Sequence, residues 1–154
     1  MVNQYLKSVG LPGGFFWCAG YVKWGFTQNG VKTPGCNGRA SSFFQRNRLV
    51  YEQATGRGID LVEQGDVGSC YYINLGRIGH IYWIDKWVLE RRMTATNEGN
   101  TNNDGSRNGY EVCNKIRPLR QVYSVARWVP SERKAQRQVL PGRGDRLDPS
   151  LHRT

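Results

Sequence analysis

Apolar positions follow a helical period in the first third of the chain and a strand period after about residue 65. Ala19, Val22 and Phe26 recur at i, i+3 and i+7, the spacing of a stripe buried on one helix face, and Asn29-Gly30 supplies a stop signal. A short helix is predicted over residues 3–9, closed by Gly10. Another is predicted over about 41–54, with Ser41 or Ser42 as its cap and Phe44, Leu49 and Tyr51 on its buried side. Residues 33–39 are polar, carry Gly and Pro, and read as a loop. Strands are predicted near 66–73, 79–85, 88–96, 109–116 and 123–129. In the run His80-Ile-Tyr-Trp-Ile-Asp85, Ile81, Trp83 and Asp85 point one way and His80, Tyr82 and Ile84 the other, the pattern of a half-buried strand. Helices followed by strands predict an α+β fold, with N-terminal helices packed on an antiparallel sheet.

The chain has 154 residues, 38% hydrophobic and 12% aromatic, enough to bury one core, and it contains no internal repeat. After Trp128-Val129-Pro130 the composition turns to Ser, Glu, Arg, Lys, Gln, Pro and Gly, which cannot bury enough surface to fold alone. The expected organisation is a domain over 1–130 and a basic, disordered tail over 131–154. The tail carries six Lys/Arg and three acids, +3 of the formal +10, so the domain itself is basic. A sequence pI near 9.8 favours anionic partners. There is no helix-turn-helix, zinc-finger or aromatic ribonucleoprotein motif, so no specific nucleic-acid recognition is expected. No apolar stretch approaches the ~20 residues of a transmembrane helix, and the opening Met1-Val-Asn-Gln-Tyr5 lacks the charged and apolar regions of a signal peptide. Nothing requires more than a monomer, which is the expected state.

Candidate chemistry centres on Cys18. The turn before it and the amphipathic stretch after it place its thiol in the first turn of a helix, where the dipole favours a thiolate. The competing reading is a buried cysteine acting as a small hydrophobe. The chain has two histidines, and His152 falls in the polar tail, which leaves His80 as the base. A thiol from a helix and an imidazole from a strand, distant in sequence and close in space, form an arrangement for nucleophilic catalysis. A third group must orient the ring. Asn97, Glu98 and Asn100 stand at the end of the next strand, with Glu98 and Asn100 on one face. One can accept from the histidine Nδ1–H while another binds the ring edge, backbone or substrate. By composition alone this Asn/Gly-rich stretch reads as a turn. Trp17, Tyr21 and Tyr82, with Asn97, are candidates to line a substrate groove, core packing being the alternative for each aromatic. Cys36, Cys70 and Cys113 have no CxxC pairing, so no zinc site or other cofactor is expected, and a disulfide between two of them stays unassigned.

The ordered set Trp17-Cys18-Ala19, Gly65-Asp66-Val67, Gly79-His80-Ile81 and Glu98-Gly99-Asn100 resembles the cysteine, histidine-dependent amidohydrolase/peptidase (CHAP) family, relatives of NlpC-type cell-wall peptidases. The resemblance spans about residues 3–129, with 62 residues from Cys18 to His80 and 18 from His80 to Glu98. It implies a papain-like fold with Cys18 as nucleophile, His80 as base and then acid, Glu98 as orienting group and Asn100 as an auxiliary polar residue. Two departures stand out. Trp17 occupies the place where a glutamine often precedes the nucleophile, which leaves the backbone N–H of Cys18 or Ala19 as oxyanion donors. A polar run from Thr101 to Gly109 resembles an insertion beside the site.

The resemblance further implies peptidoglycan as substrate, cleaved at an N-acetylmuramoyl–L-alanine amide or at a stem-peptide or cross-bridge bond. A phage lysin or a secreted antibacterial effector would act this way at the cell wall or in the periplasm after lysis or export, and a cognate immunity or inhibitor protein is then a candidate partner. The alternatives are a noncatalytic module that binds wall fragments or a protein through the same fold, and a transferase passing the acyl group to an amine.

Overall fold

The computed structural model describes residues 1–101 and 109–131. The tail expected over 131–154, apart from Ser131, and the interior of the polar run after Thr101 lie outside the described residues. Two helices open the chain, α1 (Val2–Ser8) and α2 (Cys18–Gln28). Both stop at a glycine in the left-handed region, Gly10 (φ 72°) and Gly30 (φ 70°). At each end the two N–H groups after the cap return to the last turn: Gly10 to Lys7 and Leu11 to Leu6, then Gly30 to Thr27 and Val31 to Phe26. This double closure satisfies orphan helix carbonyls, and only glycine adopts its backbone at no steric cost.

Six strands follow: β1 (Leu49–Glu52), β2 (Val67–Tyr72), β3 (Arg77–Val88), β4 (Met93–Thr101), β5 (Glu111–Pro118) and β6 (Ser124–Ala126). They form one antiparallel sheet in the order β1-β6-β2-β3-β4-β5. The architecture is α+β, with β3 in mid-sheet between β2 and β4.

The helix expected over 41–54 is not formed. Its first part is two 3₁₀ turns, Ala40–Phe43 and Arg46–Arg48, and its last part is β1. The Ser42 hydroxyl donates to the Arg39 carbonyl at 2.6 Å and accepts from the Asn37 N–H at 3.0 Å, local bonds that compete with helix capping. Leu49-Val-Tyr then pairs with β6, with Tyr51 opposite Val125, and buries the tyrosine. The third expected strand also begins later, at Met93, because a turn at residues 89–92 closes on Arg92, whose φ is 51°.

The β3 alternation sorts as the sequence predicts. Ile81 and Trp83 pack with Val22 and Phe26 of α2, while Tyr82 and Ile84 join a second cluster with Val122 and Val125. Both faces are therefore covered, so β3 is more buried than a half-exposed strand. Val22, Phe26, Ile81 and Tyr82 are at most 2% exposed. Each contributes about 1.5–3 kcal/mol by leaving water, and Val22, Phe26 and Ile81 thereby fix α2 against the sheet. Two close contacts set how near. A Cβ on Gly20 would lie 2.5 Å from the Tyr5 carbonyl oxygen, so Gly20 lets α1 touch α2. A Cβ on Gly99 would lie 2.7 Å from both Trp17 and Tyr21, so Gly99 lets the head of α2 rest on β4.

Away from the helices, Asp66 is buried before β2 and accepts both prongs of the Arg127 guanidinium at 2.7–2.8 Å. It also accepts from the Glu63 N–H at 2.8 Å. The Asp66 that opens β2 is thus a structural anchor for the chain leaving β6. Among the described residues no helix is long and apolar enough to cross a membrane.

Candidate active site

Cys18 is the first residue of α2 and is 4% exposed. The amides of a first helical turn have no partner inside the helix, so they face whatever sits at its head. Here that is the Cys18 sulfur, whose ionised form is favoured by His80 and by the backbone N–H groups of Ala19 and Ile81. Burial pushes the thiol pKa up. The hydrogen bond and positive charge of His80, with those two amides, outweigh it and hold the pKa below its usual value.

His80 stands near the start of β3, opposite Cys70 of β2, and is 6% exposed. Its Nε2 meets Glu98 Oε2 at 2.8 Å, which leaves Nδ1 for the thiol. This corrects the assignment of Nδ1–H to the orienting carboxylate. Burial pushes the imidazole toward its neutral form. The hydrogen bonds to Cys18 and Glu98 and their negative charges prevail, raising its pKa to about 9. Both shifts run in the direction of a thiolate beside an imidazolium.

Glu98, on β4, is fully buried, and each carboxylate oxygen has partners. Oε1 accepts from the Thr96 hydroxyl and from Arg117 Nε, both at 2.5 Å, and Oε2 accepts from Arg117 Nη2 at 2.7 Å as well as from His80. Burial favours the protonated acid, yet Arg117 and His80 hold the pKa far below the ordinary 4.5. A buried charge of this kind is tolerated because it is paired on both sides. The guanidinium of Arg117 also lies 5.1 Å over the ring of Tyr82. The relay therefore runs Cys18–His80–Glu98–Arg117. Sequence reasoning missed its last member and Thr96. The usable signal was the alternation of Lys115 and Arg117 on β5, paired in register with Thr96 and Thr94.

The other expected residues separate into different jobs. Asn100 sits at an irregularity between Gly99 and Thr101, with φ at 59°, a conformation asparagine tolerates, and it lines the cavity beside His80. Tyr82 is fully buried, 5.9 Å from His80 by ring centroids, and packs against Arg117 and His80 without meeting solvent. Trp17, 4% exposed, stacks on Tyr5 at 5.3 Å and donates its indole N–H to the Gly109 carbonyl at 3.2 Å, which makes it a core post as well. The Tyr21 hydroxyl donates to Asn97 Oδ1 at 2.5 Å, tying α2 to β4, and Asn97 donates on to Asn114 Oδ1 at 2.9 Å. None of these four lines the two cavities that open on the thiol and the imidazole.

Those cavities meet at Gly79. One, of about 520 Å³, is lined by His80 and Asn100 with Tyr72, Lys115, Arg117 and Arg120 among its walls. The other, of about 390 Å³, holds Cys18 with Phe15, Phe16, Leu11, Arg39 and Arg77. Phe15 and Phe16 are about half exposed, directly before the turn that carries Cys18, and were not singled out from sequence. Gly79 is required where the halves join, since a Cβ there would lie 2.1 Å from the Tyr72 ring. All four cysteines are free thiols. Among the described residues no three metal-binding side chains cluster.

No protein-family model, curated protein or solved structure gives a significant match to the chain. The functional reading accordingly rests on the geometry of the site and the order of its motifs.

Proposed function

We propose that this chain is a cysteine amidohydrolase or peptidase with a papain-like, NlpC-like fold, and that it cleaves an amide bond of peptidoglycan. One observation carries the chemistry: a buried thiol at the head of α2 whose ionisation is favoured by an imidazole that a buried carboxylate holds at Nε2. A buried structural cysteine has no need of a positioned base, and a core histidine has no need of a thiol.

In the proposed reaction the Cys18 thiolate adds to the carbonyl carbon, and the electron pair moves onto the carbonyl oxygen. A first-turn amide at the head of α2, that of Cys18 itself, stabilises this oxyanion. As the C–N bond breaks, the His80 imidazolium gives its Nδ1 proton to the departing amine, leaving a thioester on Cys18 and a neutral ring. The neutral ring next removes a proton from water, the resulting hydroxide equivalent attacks the thioester, and the carboxylic acid leaves as thiolate and imidazolium are restored. Glu98 keeps its charge throughout, fixing the tautomer and steadying the imidazolium. Asn100 is an auxiliary polar group at the His80 side.

Peptidoglycan follows from the resemblance to cell-wall hydrolases and agrees with the cationic walls of the cleft. The scissile bond is the muramoyl–alanine amide or a peptide bond of the stem or cross-bridge. The protein would act on the wall or in the periplasm as a lysin or antibacterial effector, with a cognate inhibitor as its natural counterpart.

The experiment is digestion of purified peptidoglycan by the wild-type protein, Cys18→Ala and His80→Ala, with new amino groups counted and soluble fragments weighed by mass spectrometry. Release by the wild type alone supports the proposal, and the fragment masses name the bond. Equal release by Cys18→Ala, or none by the wild type across walls of several compositions, overturns it.

A further inference from the structure

We propose that the thiol half of the cleft binds a carboxylate on the acyl portion of the substrate, with Arg39 and Arg77 as its recognition residues. The inference rests on the hydrolase reading for its direction. The imidazolium must hand its proton to the departing nitrogen, so the departing portion lies toward His80, in the cavity that His80 lines. The acyl portion stays on the sulfur and extends the other way, into the cavity of about 390 Å³ that Cys18 lines and His80 does not.

Two arginines are delivered to that cavity from a fixed backbone. Arg39 precedes the 3₁₀ turn Ala40–Phe43; its N–H donates to Asn37 Oδ1 at 2.9 Å and its carbonyl accepts the Ser42 hydroxyl at 2.6 Å. Arg77 opens β3 opposite Tyr72, directly after Gly76, whose φ of 61° turns the chain. Among the described residues neither guanidinium is hydrogen-bonded or ion-paired, and no carboxylate lines the cavity. Two cations directed into one hollow repel each other, and an anion placed between them relieves this. The planar fork of a guanidinium selects a carboxylate. Leu11, Phe15 and Phe16 line the same cavity, so an aliphatic stem can lie along them while its charged end meets the arginines. The His80 half is cationic as well, but there Arg117 is bound to Glu98 and Lys115 donates to the Thr101 hydroxyl. Arg120 of that half serves as a control for charge without position. The substrate class that fits is an amide whose acyl component carries a free carboxylate close to the scissile carbonyl.

Two measurements test this, and they separate its failure from failure of the hydrolase reading. The first needs no substrate. Cys18 is alkylated at pH 6 and low salt with iodoacetate and with iodoacetamide, in the wild type and in Arg39→Gln/Arg77→Gln. The expected result is a preference for iodoacetate that falls about fivefold in this variant, the effect of two solvent-exposed charge contacts, with the iodoacetamide rate unchanged as a control for folding and thiol activation. Arg57→Gln/Arg120→Gln removes the same amount of charge, one cation from the His80 half and one that lines neither cavity, and should keep most of the preference. An unaltered preference in the first variant, or an equal fall in the second, overturns the subsite. The second measurement uses peptidoglycan stem peptides with the acyl-side carboxylate free or amidated. Amidation is expected to lower kcat/KM about fivefold in the wild type and by little in Arg39→Gln/Arg77→Gln. Equal hydrolysis of both peptides by the wild type overturns the subsite while leaving the hydrolase intact. If neither peptide is cleaved, the hydrolase reading fails and the alkylation ratio alone decides whether the thiol half selects anions.

Discussion

Replacing Glu98 by Gln keeps the shape of the side chain and removes its charge, and the consequence for His80 follows from the contacts around the ring. The imidazole is raised from 6.5 to about 9 although burial works against the charged form. At ~1.4 kcal/mol per pKa unit this is about 3 kcal/mol of preference for the imidazolium. Two anions share it, the Cys18 thiolate and Glu98 at 2.8 Å. Loss of one also leaves the Arg117 cation beside the ring without its carboxylate, so the His80 pKa should fall by about one to two units. The assay is a pH titration of imidazole ¹³Cε1 chemical shifts. The chain has two histidines, and His80→Ala assigns the signals. The substitution also leaves the partly buried Arg117 guanidinium without its counter-charge, at a cost of about 3 kcal/mol. The companion variant Glu98→Gln/Arg117→Met should regain much of that stability and keep the lowered His80 titration. A His80 that still titrates near 9 in Glu98→Gln would refute the claim that Glu98 sustains the imidazolium.

Three further outcomes follow from the same contacts. Gly99→Ala puts a methyl group 2.7 Å from Trp17 and Tyr21, which should push the head of α2 off β4, separate Cys18 from His80, and move thiol alkylation by at least one pH unit toward free-cysteine behaviour. Arg127→Met removes the partner of buried Asp66 and should cost about 2–4 kcal/mol in urea unfolding while leaving the pH profile of Cys18 alkylation unchanged. Because Glu98 has a folded-state pKa depressed below 4.5, its stabilisation is complete above that pH and is lost as pH falls toward the folded value. The acid limb of an unfolding-versus-pH curve should thus be shallower in Glu98→Gln/Arg117→Met.

The elements that sequence discloses here are those written in local periodicity. The stripe of Ala19, Val22 and Phe26 and the stop at Gly30 define α2 without reference to anything distant, and the alternation around His80 already assigns Ile81 and Tyr82 to opposite faces. The order of Cys18, His80 and Glu98 was readable as well. What was hidden depends on long-range pairing. Leu49-Val-Tyr looks helical beside Phe44 until β6, over seventy residues later, supplies its hydrogen bonds. Arg117 lies 19 residues beyond Glu98, and only the β4–β5 register brings its guanidinium to that carboxylate. Tyr82 was misplaced at the substrate because strand alternation tells which face a side chain takes but not what covers that face. The second apolar cluster, built from Val62, Leu119 and Val122, covers it.

The most direct test of the central claim is the rate of Cys18 modification by iodoacetamide between pH 4 and 10 in the wild type and in His80→Ala, with the labelled peptide identified by mass spectrometry. The thiolate–imidazolium pair predicts fast modification already at pH 5–6 in the wild type and a shift of the acid limb to pH 8 or above in His80→Ala. A wild-type thiol that reacts only as pH approaches its ordinary pKa of 9.0, or a profile that His80→Ala leaves unchanged, would contradict the account.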